Sequence, residues 1–275
     1  MMFTSSQLPT AEFEVVSVAL GPARLTLHVA GNGRPLVLFH SLLADRTSFD
    51  SVARALAATH RIIALDLPGF GGSTFIEGGL EATADGIAAA LETLGLTAKP
   101  IFIGNGYGGF VALMTAIRHP DLAARLVLAD CGAAFDEPGR AAFRGMSAAA
   151  KKDGLTSVAD LAMRRLFAPG YQAEHPDLIA HRKERFVAVE PRTFHSACQA
   201  LSTLDLRAQL DAVRVPVLVV VGEMDEATPP PMSSALAAGL PDAKLIVLPG
   251  CAHVPQLQDP MLFLKTIGEF IGRPA

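Results

Sequence analysis

Three places in the chain hold residues whose types and order could do chemistry: the run Gly104-Asn105-Gly106-Tyr107-Gly108-Gly109, then Asp225, then His253. The glycine run follows a short apolar stretch at 101–103. It precedes apolar residues at helical spacing, Phe110, Leu113, Met114 and Ile117, so it reads as a tight turn from strand to helix. Two machines are built on that plan. A dinucleotide cradle needs G-x-G-x-x-G, which Gly104, Gly106 and Gly109 match, with an acid ending the next strand, here Asp130. A nucleophile elbow needs G-x-S-x-G with serine at the apex. Gly104 and Gly108 match its flanks, but Gly106 stands where the serine belongs.

The last third of the chain favours the second plan. The apolar run 217–221 leads into GEMDEATPP, which puts Asp225 just beyond the carboxyl end of a buried strand. The run 244–248 leads into a loop carrying His253, ahead of a terminal helix. Ligands of open parallel sheets bind at the carboxyl ends of the strands, and Gly106, Asp225 and His253 would share that edge. Their chain order is that of nucleophile, acid and histidine. In such a set the acid orients the histidine and stabilises its charged form, while the histidine moves protons. The dinucleotide match arises only because the apex residue is glycine, and a long stretch of sheet precedes it. Asp130 therefore reads as a structural acid at a strand end.

The elements that must position these residues follow from hydrophobic patterning. Residues 13–18 and 24–29 form a hairpin around Gly21-Pro22; 35–39, 61–65 and 126–129 are further strands, the first two continuous apolar runs of the kind buried on both faces. Helices are expected at 48–57, 81–94 and 262–271. Short apolar strands alternating with such helices predict an α/β fold with a mostly parallel, doubly wound sheet. From about 135 to 210 the strands stop and the pattern turns helical. A helical cap at 135–210, inserted within a single domain spanning 1–275, is the simplest organisation.

Composition narrows the function classes. Half of the residues are hydrophobic and 18% charged, enough for a sizeable core and too apolar for a disordered chain. A net charge of −4 offers no attraction for nucleic acid or a membrane surface. The densest apolar run, 217–221, is too short to span a bilayer, and residues 1–12 lack the pattern of a signal peptide. Cys131, Cys198 and Cys251 are scattered, which fits a reduced cytoplasm and speaks against a disulfide framework or a zinc site; nothing has metal-ligand spacing. The expectation is a cytoplasmic protein whose partner is a small-molecule substrate, with no metal, nucleic acid or membrane; pattern leaves its oligomeric state open.

At this point the chain resembles the α/β-hydrolase family along almost its whole length. FHSLLADRTSFD resembles the oxyanion loop, DLPGFGGS the turn after the fourth strand, and GEMDEATPP and GCAHVPQLQDP the acid and histidine segments. His-Ser-Leu in place of the usual His-Gly, with cap segments such as RRLFAPGYQAEHPD, is similar to 3-oxoadipate enol-lactonases and their relatives. The resemblance implies an α/β-hydrolase fold, a helical cap over the pocket, no cofactor, and action on a small ester, lactone or related carbonyl compound. It implies Asp225 as acid, His253 as base, Gly106 at the nucleophile position, and backbone N–H groups of Leu42 (or Ser41) and Tyr107 as an oxyanion hole. His40 and Ser41 shape the oxyanion loop, with a catalytic role for the Ser41 hydroxyl as the lesser alternative. His40, Phe143, Met146 and Phe167 are the candidate substrate contacts, and Asn105 supports the turn. His195 lies in the cap, as does the run Arg182-Lys183-Glu184-Arg185. That run reads as a solvated helical face, with a carboxylate clamp as the alternative.

The departure at Gly106 leaves several readings open. Loss of the nucleophile from a serine mechanism costs on the order of 10⁶ in turnover. The glycine is then a replacement that inactivates the protein, or it makes room for a water activated by His253. Alternatively the His253–Asp225 pair serves as a base for elimination, C–C cleavage or isomerisation, which need no nucleophile. A binding protein on an inactive hydrolase scaffold is the reading from outside catalysis.

Overall fold

The structure is a computed structural model and describes residues 12–272; residues 1–11, within the segment read for a leader, and 273–275 lie outside the described residues. Eight strands form one sheet: β1 (Glu14–Leu20), β2 (Ala23–Ala30), β3 (Arg34–Phe39), β4 (His60–Leu65), β5 (Ile101–Asn105), β6 (Arg125–Ala129), β7 (Val217–Gly222) and β8 (Ala243–Leu248). Their spatial order is β1-β2-β4-β3-β5-β6-β7-β8. β1 pairs antiparallel with β2, and β2 antiparallel with β4; every later pairing is parallel.

The continuous apolar strands are explained by helices on both faces. Alternate residues of one strand feed two different cores, because successive side chains point to opposite sides of the sheet. Val37, Phe39, Phe102, Leu126, Leu128 and Val219 pack with α2 (Gly79–Thr93) and α3 (Tyr107–Arg118). Leu36, Leu38, Ile101, Ile103, Val127 and Val220 pack with α1 (Asp50–Leu56) and the last helix of the chain, α11 (Pro260–Gly272). Each fully buried Leu, Val or Phe contributes roughly 1.5–3 kcal/mol. The expected helix at 48–57 begins instead as a 3₁₀ turn, Arg46–Phe49, because the Asp45 carboxylate accepts the Thr47 N–H (2.8 Å) and caps the chain early.

Between β6 and β7 run α4 (Glu137–Asp153), α5 (Ala159–Leu166), α6 (Pro169–Glu174), α7 (Pro176–Val187) and α8 (Pro191–Thr203). α9 (Pro230–Gly239) links β7 to β8, and the short α10 (Pro255–Gln258) precedes α11. Several of these helices open on proline, where its missing N–H has no intrahelical partner to lose. The buried side chains of α4–α8, Phe143, Met146, Phe186 and Phe194 among them, are continuous with the core under α2 and α3. Among the described residues no helix is long and apolar enough to cross a membrane.

Candidate active site

The parallel register aligns the strand ends that matter. Phe39 lies beside Gly104, Asn105 beside Ala129, and Gly222 beside Leu248, so the loops after β3, β5, β6, β7 and β8 open on one edge. That edge brings together Ser41, Gly106, Asp130, Asp225 and His253.

The turn at Gly106 is tight for stated reasons. Gly106 has φ 54° and ψ −121°, a conformation a residue with a Cβ adopts only under strain. A Cβ on Gly108 would lie 2.2 Å from the Phe39 carbonyl oxygen, so only glycine lets α3 start this close to β3. The turn is pinned by Gly106 N–H donating to Ala129 O (2.9 Å) and by Asn105. The buried Asn105 amide donates to Asp130 Oδ2 (3.2 Å) and to the His253 carbonyl (2.8 Å), and its own oxygen accepts from Gln256 Nε2 (3.0 Å). Asn105 thus ties the turn to the loop that carries the histidine.

Asp225 and His253 form a buried pair. His253 Nδ1 donates to Asp225 Oδ2 at 2.9 Å, which leaves Nε2 to face away from the carboxylate. Thr228 Oγ1 donates to the same carboxylate oxygen (2.7 Å), and the backbone N–H groups of Ala227 and Thr228 donate to Oδ1 (2.8 and 3.1 Å). Burial alone would raise the Asp225 carboxyl. The charge of His253 and the hydrogen bonds from His253 and Thr228 outweigh it and hold Asp225 below the ordinary carboxylate range. Burial, followed by the charge of Asp225, pushes the wholly buried Asp130 well above that range. Of the two adjoining carboxyls, Asp225 is the one whose surroundings favour the charged form. Atoms of Asp130, Asp225 and His253 come within 4.8 Å of one another, close enough for the two carboxyls to feel each other's charge.

His253 Nε2 points at the turn. A Cβ built on Gly106 would lie 2.6 Å from Nε2 and 2.7 Å from Ser41 Oγ, and those two atoms are 3.4 Å apart. Leu42 and Tyr107 flank the same spot. Tyr107 is the first residue of α3, so its N–H has no intrahelical acceptor, and neither it nor the Leu42 N–H meets another backbone acceptor among the described residues. The cavity enclosed by Ser41, Leu42, Gly106, Tyr107, Phe143 and His253 measures only about 30 Å³. It shares Phe135, Arg165 and Ala227 with an open groove of about 630 Å³. A second cleft of about 600 Å³, between the start of α2 and α8, lies away from the histidine and holds none of this chemistry.

Of the expected substrate contacts, only Phe143 lines the cavity. His40 is buried in a support role: burial lowers its pKa, and as a neutral ring it donates from Nδ1 to Ser41 O (2.9 Å) and accepts at Nε2 from Leu67 N–H (3.2 Å). Met146 packs in the core, and Phe167 stacks on Tyr171 with ring centroids 5.4 Å apart, outside the cavity wall. The Arg182–Arg185 run is not a plain solvated face. Arg182 is buried and donates to Thr47 Oγ1 (2.8 Å) and Asp45 (3.5 Å), Arg185 pairs with Asp45, and Lys183 pairs with Asp160. The arginines latch α7 to the loop after β3 and the lysine ties it to α5; none of them lines the cavity, so the clamp alternative fails on position. His195 bonds Ser147 across α8 and α4 (3.0 Å). All three cysteines are buried thiols; burial raises Cys131, takes Cys198 to about 12 and Cys251 to about 11, so none is a ready nucleophile.

Three residues of the site were not singled out from sequence. Thr228 and Gln256 act through contacts just described. Arg165 faces the cavity with its guanidinium 5.8 Å over the Phe143 ring, one long bond to Ala227 O (3.4 Å), and no carboxylate within ion-pair distance among the described residues. Thr228 had a local signal, a hydroxyl three residues past an acid in a turn. Gln256 and Arg165 had none.

A family model of the alpha/beta hydrolase fold matches residues 34–260. The chain is 32% identical over 251 residues to a pimeloyl-[acyl-carrier protein] methyl ester esterase of Neisseria meningitidis, covering 86% of this chain and 93% of that one. It is 24% identical to 3-oxoadipate enol-lactonase 2 of Acinetobacter baylyi, over 87% and 90% of the two chains. The solved enol-lactonase of Burkholderia xenovorans LB400 superposes with a TM-score of 0.87 at 25% identity, over 94% of this chain and all of the other. With the family model's match and the sheet order, the chain belongs to the α/β hydrolase fold family and falls among its hydrolases.

Proposed function

We propose that the protein hydrolyses small carboxylic esters or lactones, with His253 as general base, Asp225 as its orienting acid, and the N–H groups of Leu42 and Tyr107 receiving the carbonyl oxygen. One observation carries this reading: the free nitrogen of a buried, Asp-oriented histidine faces the family's nucleophile turn. The similarity to an esterase and an enol-lactonase supports the substrate class. Because residue 106 is glycine, the attacking oxygen comes from another group held against Nε2. His253 takes its proton as it bonds to the carbonyl carbon and returns it to the leaving alkoxide. As charge builds on the carbonyl oxygen, the α3 N-terminus and the two N–H groups stabilise it. The pocket at the dyad holds only about 30 Å³, and substrate reaches it from the adjoining groove, which shares Phe135, Arg165 and Ala227 with it.

The test is turnover of a panel of small esters, half-esters and lactones by the parent, His253→Ala and Asp225→Asn proteins. Removing the base lowers kcat by roughly 10²–10⁴. Hydrolysis in ¹⁸O-labelled water puts label into the acid product, whereas elimination or isomerisation by the same pair does not. Undiminished turnover in His253→Ala, or product free of solvent oxygen, overturns the assignment.

A further inference from the structure

Resting on the reading of Asp225–His253 as the base pair, we propose that the Ser41 hydroxyl is the nucleophile it activates, so that the attacking oxygen has moved from the turn after β5 to the turn after β3. Ser41 Oγ is 3.4 Å from His253 Nε2 and has no other hydrogen-bond partner among the described residues. Ser41 is 1% exposed, so no bulk water competes for that hydroxyl. It lies 2.7 Å from where a Cβ on Gly106 would stand, which is the space a serine side chain at 106 would claim. The glycine therefore leaves room that Ser41 already fills.

The surroundings hold this serine still. Its carbonyl accepts from His40 Nδ1 (2.9 Å) and from the Ala44 N–H (3.3 Å), and His40 is in turn fixed by the Leu67 N–H. That accounts for a buried neutral histidine at 40 that points away from the cavity. The oxyanion donors also survive the exchange. In an elbow mechanism one N–H comes from the residue after the nucleophile and the other from the loop after the third strand. With Ser41 as nucleophile, Leu42 is the residue after it and Tyr107 supplies the donor from the neighbouring turn. β3 and β5 are adjacent, so the two turns trade roles without moving.

The chemistry balances without a further reagent. The Ser41 hydroxyl proton passes to His253 Nε2 as the Oγ–carbonyl carbon bond forms, and the carbonyl π pair moves onto the oxygen between Leu42 and Tyr107. Collapse of the tetrahedral species breaks the ester C–O bond, and the His253 proton leaves with the alcohol. Water, deprotonated by His253, then attacks the acyl-Ser41 carbonyl; the acid departs and the serine recovers its proton. An O···N separation of 3.4 Å is looser than a mature catalytic hydrogen bond, as is common before substrate is bound.

The experiment is covalent labelling by a small fluorophosphonate, located by peptide mass spectrometry, in the parent, Ser41→Ala, Ser41→Cys and His253→Ala proteins, each checked for folding by circular dichroism. The expected result is a phosphonyl adduct, with loss of fluoride, on the peptide carrying Ser41. It is absent in Ser41→Ala, and its rate falls at least a hundredfold in His253→Ala. Ser41→Cys restores covalent capture, as an iodoacetamide adduct that forms faster than on any of the three native, buried cysteines. Ester turnover that depends on His253 but persists in Ser41→Ala, without an adduct at Ser41 in the parent, overturns this inference and leaves the hydrolase reading standing, with water as the attacking group. An adduct at Ser41 that depends on His253, in a protein that hydrolyses nothing on the panel, supports the nucleophile and overturns the substrate class.

Discussion

Substituting Gly106 by alanine adds one methyl group at the tight turn beside His253, and the structure says what it meets. At φ 54° and ψ −121° a residue with a Cβ carries backbone strain of about 1–3 kcal/mol. Against that, alanine restricts the unfolded chain more than glycine does and returns about 0.4–1 kcal/mol. The new Cβ also starts 2.6 Å from His253 Nε2 and 2.7 Å from Ser41 Oγ. Both are side-chain ends that can retreat, so the collision is relieved by movement rather than by unfolding. Net destabilisation is then about 0–2.6 kcal/mol, centred on roughly 1 kcal/mol, which lowers Tm by up to about 10 °C for a large domain. The retreat separates Ser41 from His253, so alanine also abolishes labelling and turnover while the fold persists. Serine at 106 carries the same Cβ and shows the same loss of stability, but it brings its own hydroxyl to Nε2, and the phosphonyl adduct moves from the Ser41 peptide to the one carrying residue 106. Differential scanning calorimetry and peptide mapping on the three proteins read both effects. An alanine variant as stable as the parent, with Ser41 still reactive, refutes the account of the turn.

Two further predictions concern charge. Asp45→Ala leaves the buried Arg182 without its carboxylate, and removal of one partner of a buried pair costs about 3–5 kcal/mol; the low end applies because Arg185 is 41% exposed at its side chain and can turn to water. Urea denaturation measures it, and a midpoint matching the parent's shows that the latch between α7 and the β3 loop holds nothing. The second concerns acid. The folded pKa of Asp225 lies below its unfolded value, so its contribution is present above the ordinary carboxylate range and is lost as pH falls through the folded pKa. Asp130 has the opposite sign: its folded pKa is raised, so it weakens the fold as pH climbs from the unfolded towards the folded value. Asp225→Asn is therefore expected to flatten the acid limb of the stability curve. An unchanged acid limb contradicts the assignment of charge to Asp225.

Why some of this was legible in the chain and some was not is a matter of range. The sheet could be read because strands buried on both faces are unbroken apolar runs, and 217–221 or 35–39 have no other use in a chain of this length. Asp225 sits just past a strand of this kind and His253 past the half-exposed edge strand β8, and the parallel topology delivers both to one edge. The rest depends on partners distant in sequence. Arg182 meets Asp45 across 137 positions, so a run of charges that looks like a wet helix face becomes a tie between two layers. Arg165 belongs to the cavity only because its side chain reaches the loop after β7, 62 positions away, and no periodicity encodes that contact. Ser41 is the sharpest case. Its backbone was legible as part of an oxyanion loop and its hydroxyl only as a lesser catalytic alternative; the hydroxyl gained a place when the absent Cβ of Gly106 was set against the position of His253. A glycine read alone is a missing nucleophile. Read with its neighbours it is a vacated volume, and a buried serine already held against the histidine gives that volume a chemical use.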